Sequence, residues 1–354
     1  MVKKSHMTNT NKQEINQRLF DWYGINTKKH LGIKKKCPRP YDTVLIDKQG
    51  SCYLCECTAW LPQSAGNLHV DTLEDIVTSN TAHLLQSSIA DDSYRFCNNS
   101  QCSYLLDYLG TDSWNSAVPQ QQLKHIRLAI DDSCNLSCPS CRKEKIFYKN
   151  GKTFDMRLAL VDKILKFLQT RTQPIQLHIG SDGDPFASLI YRRLMLKTKE
   201  LSNITYSMQT NGLLLKKNFH KFKHITDNLD QIGISIDGAT KSTYEKLRRG
   251  GVYELMLENL EFLKSIKNFK IHLHFVVQQS NYHEIESLIE LGIKYNVDKI
   301  FLNRITDWNT MRNFKEQAVA DKDHPENKEL IKILSRVSKN EYAIKEFVEY
   351  RTLL

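Results

Sequence analysis

Short β-branched segments alternate with longer amphipathic segments from Lys124 onward, and this alternation constrains the fold more than any other feature. The predicted strands are His125–Ile130, Ile175–Ile179, Ile204–Met208, Gln231–Ile236, Lys270–Gln278 and Lys299–Ile305. The predicted helices are 158–169, 189–201, 216–225, 241–247, 253–266 and 283–295. Strands that alternate with helices of this length form βαβ units and a parallel sheet. Six repeats predict an α/β fold, a partial (β/α)6 TIM-like barrel, with its chemistry where the strands end.

Composition and charge limit the location and the partners. The chain has 354 residues, of which 40% are hydrophobic and 25% charged, as in soluble globular proteins. Its polar N-terminal segment is unlike a signal peptide, and no apolar run approaches the roughly 20 residues of a membrane span. We therefore expect a cytoplasmic protein without a membrane partner. The net charge of +10 is compatible with a nucleic-acid partner, but also with lysines spread over helix surfaces.

The nine cysteines form two groups, and none follows Cys141. Three of them, in Cys134-x3-Cys138-x2-Cys141, follow the first predicted strand directly. The other six lie upstream, at positions 37, 52, 55, 57, 97 and 102. In a cytoplasmic protein, closely spaced cysteines indicate metal or redox chemistry rather than disulfides.

The downstream group has one ligand too few for a closed metal site. Thiolates are the usual ligands of iron–sulfur clusters, and a full shell takes four. Three cysteines in one loop leave one iron without a protein ligand, so that a cofactor or substrate can bind it. A zinc site is the alternative, although structural zinc prefers four protein ligands.

This three-cysteine loop resembles the signature of the radical S-adenosylmethionine (SAM) superfamily, and the resemblance covers roughly residues 123–305. It implies that Cys134, Cys138 and Cys141 are catalytic and hold a [4Fe–4S] cluster whose fourth iron binds SAM. It also implies reductive cleavage of SAM to methionine and a 5′-deoxyadenosyl radical, which abstracts hydrogen from the substrate. Ser140 stands where many members have an aromatic residue near the adenine, and we expect it to contact the cofactor.

Two further strand ends resemble SAM-binding segments of the same superfamily. Gly183 and Asp184 belong to Gly180–Phe186, which is similar to a Gly-Gly-Glu-Pro-like segment that holds the SAM amino group. Asn211 belongs to a Thr-Asn-Gly sequence that many members have after the third strand. Ordinary Asp-Gly and Asn-Gly turns are the alternative for both segments.

The fourth strand supplies the remaining predicted cofactor-binding residues. Ser235 and Asp237 alternate with isoleucines, so both should face the barrel interior, where the resemblance implies contacts with the SAM ribose and the substrate. Arg248, shortly after this strand, is expected to contact a carboxylate or phosphate, with a surface salt bridge as the alternative.

The upstream cysteines resemble the twitch or SPASM modules that carry an auxiliary [4Fe–4S] cluster in radical SAM enzymes. Gly50 suits the turn of the module's hairpin, and residues 73–88 suit its helix. The resemblance implies four metal ligands, with Cys57 in reserve and Cys52 a buried strand cysteine; the four are Cys37, Cys55, Cys97 and Cys102. A zinc knuckle is the alternative.

These patterns predict four segments and one leading function. The segments are a polar lead-in (1–36), a small cysteine-rich α+β auxiliary module (37–118), the radical SAM core (119–310) and a C-terminal helical extension (311–354). The expected function is hydrogen abstraction from a peptide or small polar metabolite, with a low-potential electron donor such as flavodoxin or ferredoxin. The alternatives are modification of RNA or DNA, and a non-enzymatic zinc-stabilised binding protein.

Overall fold

The computed structural model describes residues 36–56, 61, 63–97, 102, 117–339 and 348–351. Within these ranges the strands are β1 Thr43–Asp47, β2 Ser51–Tyr53, β3 Gly66–Asn67, β4 His125–Ala129, β5 Ile175–Ile179, β6 Ile204–Thr210, β7 Leu229–Ser235, β8 Lys270–Val277, β9 Lys299–Arg304 and β10 Val348–Arg351. They form one sheet in the order β10-β9-β8-β7-β6-β5-β4-β1-β2-β3.

The helices of the described residues alternate with the strands of the central part of this sheet. They are α1 Arg39–Asp42, α2 Leu73–Val77, α3 Asn80–Ala90, α4 Lys152–Gln169, α5 Leu189–Lys197, α6 Leu215–Phe219, α7 Lys223–Thr226, α8 Lys241–Leu247, α9 Tyr253–Ser265, α10 Ile285–Lys294, α11 Phe314–Gln317 and α12 Asn327–Lys339. The six strands from β4 to β9 pair in parallel and in chain order. The predicted α/β partial barrel is therefore confirmed.

The apolar pattern explains why these segments form strands and helices. In α4, Leu160, Ile164 and Leu168 are buried at a spacing of four residues, which places them on one helix face. The strands of a covered parallel sheet are buried on both faces and therefore rich in branched apolar residues. Ile126 and Leu177 are two such strand residues without exposed surface.

The N-terminal cysteine-containing segment is joined to the barrel by its backbone and by its core. Strand β1 pairs in parallel with β4, with Leu45 opposite Arg127, and β2 and β3 continue the sheet in antiparallel pairs. Val44 and Ile46 belong to the same apolar core as the barrel strands. The described part of this segment therefore extends the barrel sheet and shares its core.

Details of the N-terminal segment follow from local turn and cap chemistry. Gly50, with φ of +82°, lies in the turn between β1 and β2 as expected, and Cys52 is a buried residue of β2, also as expected. The single helix predicted over 73–88 is two helices, because the hydroxyl of Ser79 accepts a hydrogen bond from Ala82 N and begins a new helix. Cys57 lies outside the described residues.

The C-terminal segment contains a strand that the sequence pattern did not predict. Besides α11 and α12, residues 311–354 include β10, which pairs in parallel with β9. This pairing satisfies backbone groups that an edge strand would leave open. In the described part of the chain, no helix is long and apolar enough to span a bilayer.

Candidate active site

The loop after β4 brings three thiols together at the carboxyl end of the barrel strands. Cys134 N donates to Ile146 O at 2.8 Å, and Cys141 N donates to Cys138 O at 2.9 Å, so the loop folds back on itself. Cys134 and Cys138 are buried, whereas Cys141 is exposed. Ser140 lies half-buried between the last two cysteines.

The environment of the buried thiols opposes their ionisation when no metal is bound. Burial raises the pKa of Cys134 to about 11, and the neighbouring Asp184 carboxylate acts in the same direction. Burial also raises the pKa of Cys138, against the opposing charge of Arg248. The neighbouring thiols act in the same direction, Cys138 on the pKa of Cys134 and Cys141 on the pKa of Cys138. Metal binding to these thiols must therefore release protons.

Each of the three sulfur atoms has its own nitrogen donor. Cys134 Sγ accepts from Leu136 N at 3.4 Å and from Asn211 Nδ2 at 3.7 Å. Arg248 Nη1 lies 3.7 Å from Cys138 Sγ, and Arg142 directs both Nε and Nη2 at Cys141 Sγ at 3.4 Å. Hydrogen bonds to the sulfurs are what proteins use to tune thiolate-bound iron–sulfur clusters. This donor set fits three thiolate ligands of a cluster.

Asp184 is placed in the protein interior, where four internal donors saturate its carboxylate. Its Oδ1 accepts from Phe186 N and Ala187 N at 3.0 and 3.1 Å. Its Oδ2 accepts from Thr210 Oγ1 and Asn211 N at 2.7 and 3.0 Å. The side chain therefore ties the ends of β5 and β6 together.

Gly183 brings the segment after β5 against the cysteine loop. It has φ of +69°, and a Cβ added to it would lie 2.5 Å from Asp131 O and 2.7 Å from Ser133 O. The next residue, Asp184, donates its N–H to Ser133 O at 2.9 Å. Only glycine permits this close approach of two backbones one residue before Cys134.

Asp237 and Arg248 form a buried ion pair under Cys138. Asp237 Oδ2 lies 2.9 Å from Arg248 Nε, outside the alignment of a hydrogen bond, and Oδ1 accepts from Val276 N at 2.9 Å. The side chains are only 2% and 12% exposed, so the alternative of a surface salt bridge is wrong. Ser235 Oγ accepts from Gln209 Nε2 at 2.6 Å.

A polar cavity of about 1820 Å³ occupies the barrel interior and reaches the cysteine loop. Cys141 and Arg142 line one part of it, residues of β4 to β9 line another, and residues from β1, β2 and the segment after β9 also contribute. The ring of His274 is stacked on Phe301, with centroids 4.7 Å apart. We call this cavity the lumen.

Four histidines of the barrel strands line the lumen, and the sequence predicts no role for them; they are His125, His178, His272 and His274. His178 Nδ1 lies 2.9 Å from Ser207 Oγ. Burial, Arg127 and His274 hold the pKa of His178 well below its usual value, so its imidazole is neutral. The sequence signal that could have predicted these lumen residues is the polar residue at every second position of β4, β5 and β8, since alternate strand residues share a face.

The structure also brings together the four upstream cysteines that were predicted as ligands. Burial raises the pKa of Cys37 well above its usual value, and Cys55 and Cys102 add to this effect. The pKa of Cys97 is raised in the same way, by burial and by the other three thiols. Cys37 and Cys97 pack against the side chain of Tyr94.

In both cysteine groups the described thiols lie close enough to influence one another, but they do not surround the position of a single metal ion. Among the described residues, no three His, Cys, Asp or Glu side chains are arranged to hold one metal ion. Neighbouring thiols that do not converge on one point fit a four-iron cluster better than a single ion, since four irons hold their ligands farther apart. Zinc would require four sulfurs about 2.3 Å from a single centre.

A charged bridge connects the upstream cysteines with the lumen. Glu56, the neighbour of Cys55, lies 3.5 Å from Arg39 Nη1 and 3.3 Å from Arg127 Nη1. Arg39 and Glu56 both line the cavity, together with Arg127. Glu56 therefore connects the chain segment of Cys55 with two arginines that line the lumen.

Comparisons with known proteins relate the central part of the chain to one enzyme family. Residues 130–292 match the family model of the radical SAM superfamily. The chain is 28% identical over 189 residues to a GTP 3′,8-cyclase of Alkaliphilus metalliredigens, covering 52% of this chain and 57% of the relative. It is 26% identical over 200 residues to a GTP 3′,8-cyclase of Limosilactobacillus fermentum, covering 55% and 58%. The chain thus spans little more than half the length of these relatives, and the matches indicate an enzyme.

Two solved structures with similar folds have TM-scores below 0.5. Native anSMEcpe with bound AdoMet has a TM-score of 0.48 at 17% identity, covering 65% of this chain and 64% of that one. Streptococcus suis SuiB bound to the precursor peptide SuiA has a TM-score of 0.46 at 12% identity, covering 78% and 55%. The assignment of residues 130–292 therefore depends on the family match.

Proposed function

We propose that this chain, which carries a radical SAM domain over residues 130–292, cleaves SAM reductively and abstracts hydrogen from a polar substrate in the lumen. The observation that carries the proposal is one loop with three converging thiols, each supplied with an N–H donor, at the edge of a polar cavity. Three protein ligands leave one iron of a [4Fe–4S] cluster open for the cofactor. When bound, the cluster supplies the electron that splits the sulfonium of SAM.

The cysteines of this loop would bind the cluster, and neighbouring side chains hold the loop in place. Cys134, Cys138 and Cys141 would hold three irons. Asn211 fixes the loop, since its amide nitrogen donates to Asn135 Oδ1 at 2.9 Å and faces the sulfur of Cys134. We assign Asp184 a positioning role, because its carboxylate holds the backbone N–H of Asn211.

SAM itself would lie between the cysteine loop and the ends of β5 to β8. The half-buried backbone at Gly183 would supply carbonyl acceptors for its ammonium group. Arg248 would supply a cation for its carboxylate, held in place by Asp237. Ser140 and Ser235 would supply hydroxyl groups for the adenosine part. These roles keep the predictions for Gly183, Ser140, Ser235 and Arg248, whereas Asp184 and Asp237 position other groups instead of contacting the cofactor.

The lumen favours a small polar substrate. A neutral His178 both donates and accepts hydrogen bonds, and the charge of Arg127 is balanced by Glu56. The relatives named GTP 3′,8-cyclases make GTP the first substrate to test. A peptide end is the second candidate, since the lumen opens beside the exposed Cys141.

The upstream cysteines would bind a second [4Fe–4S] cluster. Their mutual electrostatic effects and the number of four thiols support a closed shell. Because Glu56 links this group to the lumen, the second cluster would act on substrate binding or electron transfer. A structural zinc ion at these four thiols is the alternative.

The deciding experiment is anaerobic assembly of the clusters followed by incubation with SAM and dithionite, or with flavodoxin or ferredoxin. We expect 5′-deoxyadenosine, and more of it when GTP or another true substrate is added. Colourless protein that forms no 5′-deoxyadenosine would instead support a zinc-stabilised binding protein. Steeply salt-dependent binding of RNA or DNA would favour nucleic acid as the substrate.

A further inference from the structure

Arg142 makes a contact that neither the family pattern nor the proposed function uses. Its Nε and Nη2 atoms both lie 3.4 Å from Cys141 Sγ, so two nitrogens of one guanidinium donate to the same sulfur. Its third nitrogen donates to the carbonyl oxygen of Asp132. The side chain is only 9% exposed, although Cys141 itself is exposed. A buried arginine therefore covers the accessible sulfur of the group.

The donors of the other two sulfurs are either neutral or paired with a carboxylate. Cys134 receives hydrogen bonds from an amide side chain and a backbone N–H, both neutral. Cys138 faces Arg248 at 3.7 Å, but Asp237 lies 2.9 Å from that guanidinium.

Arg142 has a more distant acidic neighbour. Its Nη2 is 3.8 Å from Asp182 Oδ1. The other oxygen of Asp182 lies 3.5 Å from Lys48 Nζ, so a lysine shares this carboxylate. The positive charge of Arg142 at Cys141 is therefore less compensated than that of Arg248 at Cys138.

We propose that Arg142 is a positioning residue that holds the Cys141 thiolate and raises the reduction potential of the cluster bound there. The inference rests on the cluster assignment of the proposed function. Reduction adds one negative charge, which is shared between irons and sulfurs. A fixed guanidinium stabilises the reduced cluster more than the oxidised one, and its burial weakens solvent screening. Arginine remains protonated at any working pH, so its effect is constant.

The test is a redox titration of the full chain with assembled clusters and without SAM, followed by electron paramagnetic resonance. The relevant signal is the one that changes when SAM is added afterwards, because only the cluster with an open iron binds it. At a fixed solution potential, Arg142→Gln should lower the ratio of reduced to oxidised cluster about tenfold, equal to about 59 mV for one electron. Lys149→Gln is the matched control, since it removes an exposed charge from the same loop; it should change the ratio less than twofold.

The outcomes separate the inference from the proposed function. A ratio in Arg142→Gln within twofold of wild type, at equal iron content, would overturn the role of Arg142 and leave the enzyme assignment intact. A wild-type protein without a SAM-responsive signal would remove the enzyme assignment itself. If Arg142→Gln fails to retain iron, Asp182→Asn decides, because it removes the carboxylate that partly compensates Arg142 and leaves both contacts to the sulfur in place. A ratio above that of wild type supports the inference, and an unchanged ratio contradicts it.

Discussion

The two cysteine groups reach their sites by different routes. The three barrel cysteines lie within residues 134–141, on one loop after β4. The four upstream cysteines come from positions spread over 37–102 and meet only because α1, β2 and the segment after α3 fold onto each other. One site is built by local chain geometry, and the other depends on tertiary packing.

The surroundings of the two groups differ as well. The barrel thiols face side-chain donors, among them Arg142 and Arg248, and border a polar lumen. The upstream pair Cys37 and Cys97 packs on an apolar cluster that contains Tyr94. Two of the three barrel sulfurs thus have charged donors, whereas two of the four upstream thiols pack against apolar side chains. The difference teaches that thiol number and donor charge, rather than cysteine spacing alone, distinguish the two groups.

The largest expected effect is on catalysis by the barrel group. Cys138→Ala should abolish formation of 5′-deoxyadenosine and lower the iron content from about eight to about four per chain, because one cluster loses a ligand. Cys52→Ala, which removes a buried cysteine of β2, is the control and should keep both clusters. If Cys138→Ala still forms 5′-deoxyadenosine, the assignment of the barrel site is wrong.

The reciprocal change in the upstream group should spare the barrel cluster. Cys97→Ala should also remove about four irons per chain while the SAM-responsive paramagnetic signal remains. Iron and zinc are measured together by elemental analysis. A wild-type content of about four irons and one zinc, with the zinc lost in Cys97→Ala, would sink the second-cluster proposal.

A smaller effect should follow from loosening the support of the barrel loop. In Asp184→Asn the amide group cannot accept from all four donors, which leaves a buried N–H unpaired and costs about 2 kcal/mol of unfolding free energy. Urea unfolding measures this loss, and weaker SAM binding should accompany it. Asp162→Asn, an exposed carboxylate on α4, is the control. A loss of upstream iron in Asp184→Asn would contradict the independence of the two sites.

The smallest effect concerns the support of the upstream group. Tyr94→Phe removes the hydroxyl that accepts from Cys37 N at 3.2 Å and should cost about 1 kcal/mol. Iron or zinc should then be lost faster to a chelator. Tyr191→Phe is the control, because it removes a buried hydroxyl that donates to Leu128 O at 2.9 Å in the barrel, outside the cluster that the upstream cysteines pack against. Equal chelation rates in the two variants would show that Tyr94 does not support the metal site.

Many helices and strands of the barrel could be predicted, because the residue patterns that specify them lie within single chain segments. The bounds of β5 and α8 match the predicted 175–179 and 241–247, since apolar periodicity and turn residues mark these segments clearly. The helix predicted over 216–225 is α6, a 3-10 turn and α7 instead. Strand β10 has no such local signature, because it owes its conformation to pairing with the edge of β9.

The roles of individual side chains were harder to predict than the elements that carry them. Asp184 stands at the expected strand end, but four internal donors draw its carboxylate into the protein. Arg248 has a buried partner in Asp237 where a surface partner was an equal expectation. Charge partners depend on which chain segments meet, and spacing along one segment does not encode that.

The sequence by itself determined the parallel α/β barrel and the three-cysteine loop that follows its first strand. Each follows from residues close together in the chain or from the resemblance they carry. Only the tertiary structure decided that β1 pairs with β4, that Glu56 joins the upstream cysteines to the lumen, and that two nitrogens of Arg142 donate to Cys141. The physical reason is that hydrogen bonds and ion pairs act over a few ångströms in space, whatever the separation of their partners along the chain.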